Sequence, residues 1–236
     1  MIYLYSVGLL LSLFFIYSFI GYVTEVLSVF NTQHSVVFSR GYLIGPYLPI
    51  FGFGSIFMFS FLEPYKNDVV ALFVLSVTVC CLLEYFTSLI MEKIFKLRWW
   101  DYSQKKFNVN GRVCLEYGVM FGFGGIIIVK VVHPLLLNCL LSLPSLFVIM
   151  FGFIVGIIMF IDFIISTYTL FQLKIDFNVF VEKDSTIRIK REIMNSLQRY
   201  HFFHRRLFKA FPNILKNKTM LELFDFSEKS SKDNQE

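Results

Sequence analysis

Four carboxylates stand inside long apolar runs of this sequence: Glu25, Glu84, Glu116 and Asp162. Each would cost on the order of 2.5–3.5 kcal/mol on a lipid-facing helix centre, so they must face one another, a cation or water. Glu84, Ser88 and Glu92 recur every four residues and share one helix face. Counting helical rise along each run puts all four carboxylates in the same half of the bilayer, close to the loops that bear Arg40 and Arg112. Two readings of this set stand. One is a polar cavity that binds a substrate, an ion or a proton, with Glu84 and Glu116 close together and Arg112 or Arg40 as counter-charge. The other is an Arg–Glu network that staples two loops to a helix bundle. In either case the chemistry is binding and charge compensation.

Motifs for bond-making chemistry are missing. The sequence has no HExxH, no GxSxG and no phosphate loop of the form GxxxxGK[ST]. ATP hydrolysis would therefore fall to a separate subunit. The cysteines Cys80, Cys81, Cys114 and Cys139 form no CxxC pair with nearby histidine, so they read as small packing residues, with no metal and no cofactor expected. Lys130 stands near one end of its apolar run and can snorkel, and His133 before Pro134 reads as an interfacial residue.

The elements that position these groups are membrane spans. Of 236 residues, 56% are hydrophobic and 17% charged, and several apolar runs exceed the roughly 20 residues needed to cross a hydrocarbon core. The expected fold is an all-α polytopic membrane protein with five spans, at about 2–30, 46–62, 69–95, 113–138 and 146–171. The second is short and interrupted by Pro46 and Pro49, which remove backbone donors. The first run is too long for a signal-peptide core and reads as a retained span. Residues 1–171 would form the bundle and 172–236 a basic tail. An amphipathic helix is expected over about 187–211, with Ile193, Leu197, Tyr200, His204, Leu207 and Phe211 on its apolar stripe, followed by a disordered C-terminus.

Charge sets the orientation. With five spans, one side carries Lys66 as its one short-connector cation. The other carries Arg40, Lys96, Arg98, Lys105, Lys106, Arg112 and the thirteen Lys and Arg that follow Phe171. The positive-inside rule makes that second side cytoplasmic, N-terminus out and C-terminus in. The net charge of +5 is thus a matter of topology and gives no argument for nucleic acid. The tail suits anionic lipid.

The loop joining the third and fourth spans begins with Trp99, Trp100, Asp101 and Tyr102, where the three aromatics read as interface anchors. A weak internal repeat aligns Gly41–Ser55 with Gly111–Gly125, so spans one–two and three–four would be parallel hairpins.

The segments IGYVTE, RGYLIGPYLPIFGFG, EYFTSLIMEKIFKLRWWDYS and FNVNGRVCLEYGVMFGFGG resemble the bacterial family named putative ABC-transporter type IV, CmpB-like permeases. The resemblance covers about Ser18 to Gly125, with RWWDYS and NGRVCLE its most specific parts. Relatives tend to read GPxCPIYG where this chain has Gly45-Pro46-Tyr47-Leu48-Pro49-Ile50-Phe51-Gly52, which argues against an essential thiol there. The resemblance implies a permease subunit in the bacterial cytoplasmic membrane, working with a separate ATPase. A non-transporting scaffold or regulator acting through the basic tail is the alternative, and an intramembrane enzyme the third reading.

Overall fold

The computed structural model describes residues 2–33, 41–95 and 98–181. Arg40, Lys96 and the tail from 182 onward, with its amphipathic segment at 187–211, lie outside the described residues. So do the side chains of 29–33 and 172–181.

The described chain is helical almost throughout, as uninterrupted apolar sequence requires when no water can satisfy its backbone. Helices α1 (Ile2–Gln33), α2 (Pro49–Leu62) and α3 (Val69–Phe95) come first. A loop containing a small hairpin, β1 (Asn108–Val109) and β2 (Val113–Cys114), leads to α4 (Leu115–Ile127). A π-helical turn at Ile128–Val132 connects α4 to α5 (His133–Leu141), and α6 (Ser145–Val181) follows. Pro134 explains the π turn. It has no N–H for the carbonyl four residues back, so the ladder shifts by one.

Four stretches are long and apolar enough to cross a bilayer: Ile2–Ser28, Val69–Phe95, Leu115–Leu141 and Ser145–Phe171. Each has 27 residues, about 40 Å of helix. Their outward faces are apolar, with Ile157, Ile158, Ile161 and Ile164 of α6 all about half exposed. Helix α2 differs from the expected second span. It begins at Pro49, not Pro46, and its 14 residues reach only about 21 Å. Residues 41–48 before it are not helical, because Gly41 (φ +93°), Gly45 and two prolines cannot carry a regular ladder.

Close packing sets the helix order. A Cβ on Gly152 would stand 2.1 Å from the carbonyl oxygen of Gly8, so α1 and α6 meet backbone to backbone. The same face continues through Gly156 against Leu11, and Met159 packs with Phe14 and Phe15, so the two helices advance together. Helices α3 and α4 lock through Gly118 on Cys81, Gly122 on Phe73 and Gly125 on Ser76. Phe95, at the end of α3, rests on Phe171 of α6 at 5.3 Å, which puts those two ends on one side.

The repeat has a structural counterpart in its second half. Gly52 packs on Phe14 and Ser18 as Gly122 packs on Phe73, while Gly54 and Gly124 both face open space. The first halves part company. Residues 41–48 are irregular, whereas the matching stretch already turns helical at Leu115.

Candidate functional site

The non-helical stretch 41–48 is mostly buried among the helices, and four of its backbone amides find partners outside any helix ladder. The amides of Ile44 and Gly45 donate to Oδ1 and Oδ2 of Asp162, each at 2.8 Å. The Tyr47 amide donates to the Gly45 carbonyl at 2.9 Å, and the Leu48 amide to the Ser18 carbonyl of α1 at 2.9 Å. Pro46 and Pro49 have no amide hydrogen. The Tyr47 hydroxyl donates to Asp162 Oδ2 at 2.6 Å and the Ser166 hydroxyl to Oδ1 at 2.9 Å, so the carboxylate accepts four hydrogen bonds. Asp162 thus substitutes for the missing helix ladder of another segment. Leu43 and Tyr47, almost wholly buried, pack with Met159 beside it.

A second assembly forms where the 98–114 loop folds back along the last three turns of α3. Glu92 is its hub: Arg112 approaches its carboxylate to 2.6 Å and Arg98 to 3.7 Å. Arg112 also donates to Ser88 Oγ at 3.1 Å and lies over the Tyr85 ring. Arg98 reaches the Asn110 carbonyl and Asp101. Asn110 and Gly111 both have positive φ, +52° and +65°, and Arg112 donates to the Val109 carbonyl. That is the turn chemistry for which Asn-Gly is suited. The Asn110 amide then donates to the Tyr85 hydroxyl at 3.0 Å. The face shared by Glu84, Ser88 and Glu92 is therefore the surface on which the loop is mounted.

Glu84 lies deepest. Its residue is 8% exposed, and Oε1 accepts a 3.0 Å hydrogen bond from the Tyr102 hydroxyl. Oε2 is buried and has no hydrogen-bond partner among the described residues. The Tyr102 ring stacks on Tyr117 of α4 at 4.8 Å. Burial pushes the Tyr102 phenol above its ordinary range, and the charges of Glu84, Tyr117 and Glu25 push the same way. Glu25 stands on the last turns of α1.

Several sequence expectations change here. Glu116 does not join Glu84: it is largely exposed and pairs with Lys105 at 2.9 Å, since the first turn of α4 points it toward the loop surface. Arg112 compensates Glu92, not Glu84 or Glu116. Asp162 stands apart, bound to residues 44–47. Trp99 is buried edge-on against Tyr42 at 5.8 Å, Trp100 donates to the Arg112 carbonyl at 3.0 Å, and Tyr102 donates to Glu84. These three contacts hold the loop together. His133 packs inside the bundle. It is buried, stacked on Phe59 at 4.0 Å, and shares a 3.0 Å hydrogen bond with Tyr17. Among the described residues, no group of three or more His, Cys, Asp and Glu could hold a metal ion.

The signals for the residues that were missed lie in the sequence. Glu92 continues the Glu84–Ser88 spacing, Asn110-Gly111 is a turn dipeptide, and Tyr47 follows a Gly-Pro break.

The architecture is that of a multi-pass helical membrane protein with polar groups gathered at one end of the bundle. The chain belongs to the family described as putative ABC-transporter type IV, whose model matches residues 12–167. No curated protein and no solved structure matched the sequence.

Proposed function

We propose that this chain is a permease subunit in the bacterial cytoplasmic membrane, with its polar site around Glu84 in the cytoplasmic half of the bilayer and its ATPase on a separate subunit. Family membership supports the transporter class. The observation that carries the reading is the irregular segment 41–48, held inside the bundle by Asp162. Non-helical backbone at membrane depth occurs where it is enclosed by protein or lines a pathway, as in the broken helices of transporters.

The same segment supports five crossings. Residue 42 lies beside Phe95 and Trp99, at one level of the bundle, and Leu62 lies beside Leu72 and Val129, at the other. The stretch 41–62 then returns the chain between α1 and α3. The loop cations place the Glu84 end inside, with the N-terminus out and the tail in the cytoplasm, where its basic residues suit anionic lipid.

Isolation in mild detergent tests this reading. A complex with an ATP-hydrolysing subunit should be recovered, and Glu84→Gln should lower its activity severalfold at unchanged membrane abundance. Recovery of a stable assembly without ATPase activity would instead make the protein a scaffold.

A further inference from the structure

The unpartnered Glu84 oxygen and its surroundings select a chemical class of ligand. This inference rests on the permease reading and concerns what its polar site takes.

Glu84 is more than nine-tenths buried, yet only one of its two oxygens is used. An orphaned carboxylate oxygen in low dielectric is costly, and such atoms in native folds are explained by a water, an ion or a ligand. The loop does not meet this need. Arg98 and Arg112 are committed to Glu92, and Lys105 to Glu116. No ion pair reaches Glu84 among the described residues. Its surroundings are electron-rich, with the stacked Tyr102 and Tyr117 rings beside it. Aromatic faces beside carboxylates attract cations. Among the described residues, no group of three or more His, Cys, Asp and Glu that could hold a metal ion forms here. An orphaned acceptor also requires a hydrogen-bond donor, which a fully alkylated ammonium lacks.

We propose that Glu84, with Tyr102 and Tyr117 beside it, binds a protonated amine, with an ammonium N–H donating to Glu84 Oε2. The expected substrate or regulator thus carries an alkylammonium group. The Tyr102 hydroxyl fixes the carboxylate orientation from the opposite oxygen, which leaves Oε2 directed at the ligand.

Calorimetric titration of the full-length chain in lipid nanodiscs, without any partner subunit, tests this. The probes are n-butylammonium, tetramethylammonium and sodium chlorides at equal ionic strength. Butylammonium should bind, tetramethylammonium should bind at least about tenfold more weakly, and Glu84→Gln should reduce butylammonium binding by about tenfold or more. The comparison of the two ammonium ions needs no variant, so a misfolded Glu84→Gln would not blunt it. Absence of butylammonium binding, equal binding of tetramethylammonium or sodium, or unchanged binding in a folded Glu84→Gln protein would each overturn the proposal. ATPase coupling could survive any of those failures, and amine binding could survive loss of the ATPase, so the two readings fail separately.

Discussion

Asp162→Ala should lower the stability of the detergent-solubilised protein by about 2–6 kcal/mol, the largest effect expected of any single truncation in the bundle. Two backbone amides, those of Ile44 and Gly45, lose their one acceptor. Each orphaned buried donor costs about 1–3 kcal/mol. The Ser166 hydroxyl can rotate to a carbonyl of its own helix, and the Tyr47 hydroxyl loses its bond to the carboxylate. Asp162→Asn should recover only part of the loss, because an amide nitrogen would face donors where an oxygen now accepts from them. Thermal melting followed by fluorescence, together with membrane abundance, measures both. If Asp162→Ala melts like the native protein, the segment 41–48 is held by something other than this carboxylate.

Glu92→Ala should come second. Arg112, whose side chain is 11% exposed, pairs with this carboxylate at 2.6 Å, and Arg98, 17% exposed, reaches it at 3.7 Å while also pairing with Asp101. Removing one member of a buried pair costs about 3–5 kcal/mol, and the partial solvent access of Glu92 puts this case at the lower end. The consequence is local. The 98–114 loop should detach from α3, and trypsin should cut at Lys105 or Lys106 much faster than in the native protein. Glu92→Gln, which keeps hydrogen-bonding capacity without the charge, should fall between the two. Unchanged cleavage in Glu92→Ala would mean that the hairpin and the aromatic contacts hold the loop without the ion pair.

The sequence made the membrane class plain because apolar length alone decides it, and four runs were long enough without further argument. It was far less informative about α2, since two prolines and two glycines within nine residues say that a helix breaks but not what replaces its hydrogen bonds. The partner is Asp162, more than a hundred residues away, and no local pattern connects them. Periodicity did place Glu84, Ser88 and Glu92 on one face, yet could not assign cations to them. Arg112 could meet either Glu92 or Glu84 on that face, and the tight Asn110-Gly111 turn decides for Glu92. Trp99, Trp100 and Tyr102 show a related ambiguity. Aromatics at a membrane boundary suit both lipid headgroups and a packed loop, and only the fold of 98–114 distinguishes them.

The central claim is that the polar site around Glu84 is reached from the cytoplasm. It is tested most directly by a single cysteine at Glu84, in a chain whose four native cysteines are replaced by alanine, treated with a membrane-impermeant thiol reagent. Lys106→Cys in the same background reports which side the loop occupies. In inside-out vesicles both cysteines should be modified, and in right-side-out vesicles neither should react. Modification of the Glu84 cysteine from the outer side alone, or from neither side while Lys106→Cys reacts from within, would contradict a cytoplasm-facing site.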